Sequence, residues 1–244
     1  MSGPRACIGV IGHGAFGRLM ARHLAPHFDL KIFDRDGAAP EHGTAVPLAE
    51  AASCPIVILA VPVEAMAAVV ARIAPHLAPG AVVMDVGSVK VKPVQAMLAG
   101  LPEHVRIVGL HPLFGPQSAK DGVAGLRIAV CPVRGDREAR RTAAFCRAVL
   151  GLRTFVVSAE DHDREAAVVQ GLTHLIAKVL TGMEPLPARL TTASFDRLVQ
   201  ATDMVRHDAP EVFTAIQRDN PYAAEVRERF FAMADRLRKS LEDV

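Results

Sequence analysis

The chain has no block of like charge, no long apolar run and no clustered cysteines, and each of these lacks removes a class of function. Its 28 basic and 26 acidic side chains, net +2, are dispersed over 244 residues. A nucleic-acid footprint concentrates Lys and Arg on one stretch or face, so no nucleic-acid partner is expected. No apolar stretch approaches the ~20 residues that cross a bilayer, and no membrane partner is expected. The opening MSGPRACIGVIGHG reaches a glycine motif too soon for a secretory leader. Cys7, Cys54, Cys131 and Cys146 stand far apart, without the CxxC spacing of a metal or redox site. They read as small buried hydrophobes of a reducing cytoplasm, and no metal is expected. Internal repeats and low-complexity segments are also missing.

What is present is apolar and periodic. Half of the residues are apolar, enough for a sizeable core. Up to about Phe155, short β-branched runs at 8–11, 30–33, 56–61, 82–86, 107–110 and 128–130 alternate with helical spacing at 18–24, 64–73, 91–98 and 137–150. Strand, helix, strand in repetition implies an α/β fold, a Rossmann-type doubly wound, mostly parallel sheet covered on both faces. Beyond Ser158 the strand signal fades, and helices are expected at 159–182, 190–207, 209–218 and 221–241. Pro185 and Pro187 break the first from the second, while Pro210 and Pro221 stand where a first helical turn tolerates proline. The expected division is a dinucleotide-binding domain at 1–157 and a smaller all-α domain at 158–244. So short a helical segment needs cover for its apolar faces, which predicts a homodimer through it.

Gly12-His13-Gly14-Ala15-Phe16-Gly17 follows the first strand directly and opens a helix, the setting that a GxGxxG dinucleotide turn requires. Gly12 permits the tight turn, Gly14 lets the backbone approach a pyrophosphate, and Gly17 allows the helix to pack on the strand. Asp34 closes the second strand, where a carboxylate accepts the ribose hydroxyls of NAD and repels the 2′-phosphate of NADP. Arg35, directly after it, is the residue that would accommodate NADP instead. Val61 and Pro62, at the end of another strand, are placed to flank the adenosine or nicotinamide half. Two further polar segments sit at strand ends: DVGSVK at 85–90 and GLHPLFGPQS at 109–118.

DVGSVK and GLHPLFGPQSA resemble the corresponding segments of the prephenate and arogenate dehydrogenases of tyrosine biosynthesis. EDHD at 160–163 and QGLTH at 170–174 are similar to that family's acidic, histidine-containing helix start and its Thr-His or Pro-His pair. The glycine turn and these segments run in the family's order, whereas likeness beyond Leu190 rests mainly on helical character. The resemblance implies an NAD(P)-dependent oxidoreductase that moves hydride from a cyclohexadienol ring to nicotinamide as carbon dioxide leaves. By resemblance His111 is the catalytic base and Ser88 assists at the substrate hydroxyl. His174, with Thr173 beside it, faces the substrate from the long helix, and Arg197 is the candidate for a substrate carboxylate. Gln117 stands where many relatives carry an acid. Losing that charge favours prephenate, whose side chain is a ketone, over arogenate, which bears an ammonium there. Arogenate or dual-specificity cyclohexadienyl dehydrogenase is the alternative, to which the stretch 160–174 leans. No regulatory domain is expected beyond Val244.

Two other classes fit these residues less well. A β-hydroxyacid dehydrogenase needs a lysine on the long helix and an asparagine four residues on; Lys178 is followed there by Gly182. An NAD-sensing interaction module would not need His111 and Ser88 at strand ends.

Overall fold

The computed structural model describes residues 5–37 and 39–242, which form two compact units divided after Ala159. Among the described residues the first unit holds an eight-stranded sheet in the order β3-β2-β1-β4-β5-β6-β7-β8. Its strands are β1 (Cys7–Ile11), β2 (Asp29–Phe33), β3 (Thr44–Ala45), β4 (Ile56–Leu59), β5 (Val82–Asp85), β6 (Arg106–Pro112), β7 (Arg127–Arg134) and β8 (Arg153–Val156). The central strands are near-continuous apolar runs because both of their faces are covered. On one face Ile11, Val57, Leu59, Val83 and Ile107 pack under α2 (Leu48–Ala52), α3 (Met66–Ile73) and α4 (Val91–Gly100). On the other, Val10, Ile58, Met84, Val108 and Val130 pack under α1 (Ala15–Leu24) and α5 (Asp136–Ala148).

The mostly parallel Rossmann architecture expected from the periodicity is present, with one reversal. β7 runs antiparallel to β6, pairing Leu110 with Val130 and His111 with Ala129, and β8 then runs parallel to β7. The connection at 113–126 carries no helix, and an antiparallel neighbour needs no crossover. β3 and β8 were not anticipated. β3 is two residues long, and β8 is an edge strand whose Arg153, Phe155 and Val156 are exposed, so neither carries a buried run to recognise. Cys54, Cys131 and Cys146 are buried as expected and Cys7 is half-buried; the pairing of β1 with β4 also brings Cys7 and Cys54, far apart in sequence, to an Sγ–Sγ distance of 2.6 Å. Burial, then the hydrogen bond with Cys7, pushes the Cys54 thiol up to about 12.

The second unit is helical: α6 (Ala159–Gly182), α7 (Ala193–Val205), α8 (Pro210–Thr214) and α9 (Ala223–Glu242). α7 starts later than the periodicity indicates because the Thr192 side chain caps it, accepting from the Phe195 N–H at 3.2 Å. The expected helix at 209–218 divides into α8 and a π-helical turn, Ala215–Asp219. That turn is tied to α6 by buried amides: Gln217 Nε2 donates to the Gly171 carbonyl at 2.9 Å, and Asn220 Nδ2 to the Asp163 carbonyl at 2.7 Å. Large apolar side chains remain exposed, among them Val169 (67%), Leu237 (62%) and Leu241 (71%). No helix among the described residues is long and apolar enough to cross a membrane.

Candidate active site

The turn after β1 is built from three glycines with different duties. Gly12 has φ +101°, and a Cβ there would lie 2.3 Å from the Ala60 carbonyl oxygen. At Gly17 a Cβ would lie 2.4 Å from the Gly12 carbonyl oxygen, so α1 can settle on the turn only without a side chain at that position. Gly14 faces open space, with no atom within 4 Å of where its Cβ would be. It is also the N-cap of α1, whose first turn has neither a side-chain cap nor an acidic residue. Backbone N–H groups at such an end suit an anion. Beside them His13 is buried, and its Nδ1 has no partner among the described residues. Burial, and then the Arg18 charge, holds this imidazole below its ordinary value, so it is neutral near neutral pH. An open cradle at Gly14 and an orphaned nitrogen at His13 fit a dinucleotide pyrophosphate.

Asp34 reaches across from the end of β2. Its Oδ2 accepts from the His13 N–H at 2.5 Å, and its Oδ1 from the Asp36 N–H at 2.9 Å. Partial burial works against its charge, but the Asp36 and His13 N–H groups prevail and hold the carboxyl below its ordinary value. Arg35 points away into solvent and pairs with Asp36 at 3.5 Å. Half-buried Val61 and exposed Pro62 follow β4, next to β1 in the sheet; half-buried Phe16 and exposed Ala15 begin α1.

The neighbouring strand ends are joined by a buried ion pair. Asp85, the last residue of β5, and Lys90 have no exposed side-chain surface and bond to each other. Lys90 Nζ also donates to the Leu110 carbonyl at 2.5 Å, and Asp85 Oδ2 accepts from the Gly87 N–H at 3.0 Å. The loop carrying half-buried Ser88 is therefore closed at its base and fastened to the residue before His111. Gly109 leaves room for this, since a Cβ there would lie 3.3 Å from Lys90 Cδ and from Cys131 Cβ. His111 itself is 4% exposed at the carboxyl end of β6. Ser88, just past β5, and His111, next to last in the adjacent β6 before Pro112, thus stand on the sheet edge that carries the glycine turn and where ligands bind in open α/β folds.

Sequence reasoning singled out Ser88 but neither Asp85 nor Lys90. An acid and a lysine five residues apart at the mouth of an apolar strand were the available signal, because two opposite charges there must either be exposed or meet.

In the second unit His174 is buried, with its Nε2 3.9 Å from Asp208 Oδ2. Burial, then Lys178, holds His174 below its ordinary value, and burial raises Asp208. The imidazole is neutral near neutral pH, so the contact is not an ion pair. Thr173 is exposed, and its hydroxyl donates back to the Val169 carbonyl at 2.7 Å. Lys178 lies over the Phe213 ring, 5.5 Å from its centre. Arg197 is exposed on α7, without an ion pair among the described residues. Arg206, by contrast, bonds to Glu184 and pairs with Asp203 at 3.1 Å. Gln117 is exposed in the loop between β6 and β7. The structure thus gathers the glycine turn with Asp34, and Ser88 with His111, but no hydrogen bond or ion pair joins Arg197 to His174.

Comparison with known proteins matches residues 38–131 to the family model described as prephenate dehydrogenase, nucleotide-binding domain. Residues 158–244 match prephenate dehydrogenase, dimerization domain. The chain is 28% identical over 187 residues to the probable arogenate/prephenate dehydrogenase of Methanocaldococcus jannaschii, covering 72% of this chain and 41% of that protein. It is 30% identical over 195 residues to the cyclohexadienyl dehydrogenase of Zymomonas mobilis, covering 72% and 66%. The chain spans 26 to 46% of the length of the first three curated relatives it matches. Prephenate dehydrogenase from Aquifex aeolicus, solved with hydroxyphenyl propionate and NAD+, shares the fold at a TM-score of 0.73 and 21% identity, covering 99% of this chain and 91% of that one.

Proposed function

The chain belongs to the prephenate dehydrogenase family, and on that premise we propose that it converts prephenate to 4-hydroxyphenylpyruvate, with NAD as the hydride acceptor. The observation that carries this reading is His111. It is a buried histidine at the carboxyl end of β6, on a strand fastened by Lys90, at the same sheet edge as the Gly12–Gly17 turn.

The bound dinucleotide supplies an electrophilic nicotinamide ring that takes up hydride. His111 accepts the proton of the ring hydroxyl as the carbon bearing it loses hydride, because that oxygen becomes strongly acidic. The carbon–carbon bond to the ring carboxylate then breaks, its electron pair aromatises the ring, and carbon dioxide leaves. His111 returns the proton to the resulting phenolate oxygen, so no net proton is consumed. Ser88, in the loop closed by Asp85 and Lys90, orients the hydroxyl by hydrogen bonding. His174, Thr173 and Arg197 are proposed substrate contacts, with Arg197 assigned to a carboxylate. Gln117, uncharged, favours the keto substrate over the ammonium of arogenate.

The test is reduction of NAD followed by absorbance with prephenate and with arogenate at equal concentration. Turnover is expected with prephenate. A preference for arogenate above about tenfold, a difference of roughly 1.4 kcal/mol, would reassign the substrate, and turnover with neither would remove the enzymatic reading.

Asp34 sets the proposed choice of cofactor. The intact protein is expected to have the higher kcat/KM with NAD. Asp34→Asn should lower that value about tenfold or more, the worth of a charged hydrogen bond of ~1.5–3 kcal/mol, and leave NADP turnover nearly unchanged. A wild-type preference for NADP would instead give the pocket to Arg35.

The protein is proposed to be a homodimer through residues 158–244, which match a dimerization domain and leave Val169, Leu237 and Leu241 exposed. Light scattering at micromolar concentration should report twice the chain mass, and a clean monomer would refute it. We place the enzyme in the cytoplasm, in keeping with four free thiols.

A further inference from the structure

Between α1 and α5, over the sheet face formed by β1, β4 and β5, lies a cavity of about 260 Å³. Its floor includes Ile58 and Met84, and its walls include Phe16 and Met20 of α1 and Phe145 of α5. Aromatic contacts draw the walls together on either side: Phe28 meets Phe145 at 5.1 Å between ring centres, and Phe16 meets Phe114 at 6.4 Å. Interiors are ordinarily packed to crystal density, so an apolar pocket of this size offers unfilled contact surface to a small apolar molecule.

The few polar groups on the lining are His23, Arg141 and Thr142. The Thr142 hydroxyl is committed to the Glu138 carbonyl at 2.9 Å. Arg141 is exposed, and among the described residues it has no ion pair. His23 Nε2 is buried and has no partner among the described residues. A greasy chamber with one guanidinium and one unsatisfied imidazole nitrogen suits an apolar body with a single anionic head.

We propose that this cavity is a binding site for a small aliphatic monocarboxylate, its hydrocarbon against Met20, Ile58 and Met84 and its carboxylate at Arg141, with His23 Nε2 as a second polar contact. At roughly 30 Å³ for each water-sized group the space holds about nine such groups, which makes octanoate the probe of matching size. The site lies under α1 and shares Phe16 with the dinucleotide turn, but it does not depend on the dehydrogenase reading.

The experiment is a titration of the full chain, labelled at its methionine methyls, with octanoate. The Met20 and Met84 methyl resonances should shift saturably, while those of exposed Met183 and Met233 stay in place. Arg141→Gln should weaken octanoate about tenfold or more, and octylamine, with the same tail and the opposite charge, should fail to bind. Unmoved Met20 and Met84 signals at millimolar octanoate would overturn the proposal. So would octanol or octylamine binding as tightly as the acid, or an Arg141→Gln variant of unchanged affinity.

Discussion

Replacing His111 with asparagine is expected to lower kcat with prephenate by about 10²–10⁴-fold, the range for loss of a positioned general base, while the dissociation constant for NAD stays within about twofold of wild type. The separation of the two measurements follows from where the residue stands. His111 closes β6, whereas the proposed dinucleotide contacts are made by the turn after β1 and by Asp34 at the end of β2. The end of β6 lies three places from that of β1 and four from that of β2 in the sheet order, so a smaller polar side chain at 111 leaves the packing of Gly12, Gly14 and Gly17 intact. Asparagine keeps a polar group of similar reach but accepts no proton near neutral pH. Steady-state turnover beside fluorescence titration of bound NADH reads both quantities. Wild-type turnover in this variant would remove His111 from the chemistry and leave only the fold and the family.

The second large effect is one of stability. Lys90→Met should destabilise the protein by ~3–5 kcal/mol, because it leaves the Asp85 carboxylate buried without its cation. For a chain of this size that corresponds to a fall in Tm of roughly 6–20 °C, measurable by calorimetry or by circular dichroism during heating. Lys90 also holds the Leu110 carbonyl, so the variant releases the base of the Ser88 loop and the strand bearing His111 together. In molecules that remain folded, kcat should therefore fall more than substrate affinity. The double variant Asp85→Leu with Lys90→Met should recover part of the lost stability, since an apolar pair carries no stranded charge. A single Lys90→Met variant melting within 2 °C of wild type would show that the pair does not support the fold.

Legibility in the sequence followed the range of the interaction behind each feature. Gly12, Gly14 and Gly17 were readable because the turn's own chemistry is local: the positive φ of Gly12 and the close approach of Gly17 to the Gly12 carbonyl involve residues five apart, whereas the Ala60 carbonyl that also bars a side chain at Gly12 left no mark in the spacing. Asp34 was readable because a strand length fixes how far an acid must lie from that turn. The Thr192 cap was local as well, but its hydrogen bond competes with an apolar periodicity that runs on through Leu190, and the periodicity misled. β8 carried no buried face and left no pattern.

From residue order alone came the Rossmann-type sheet, the change to helices beyond Ser158, the glycine turn with Asp34, and the strand ends bearing Ser88 and His111. These rest on periodicity and turn chemistry, which act between residues a few positions apart. Only the folded chain placed Lys90 on the Leu110 carbonyl, Cys7 beside Cys54, and an apolar chamber between α1 and α5. Each of those joins segments far apart in the chain or depends on how two surfaces fill the space between them, and neither packing volume nor long-range pairing of charges is written in the spacing of neighbouring residues.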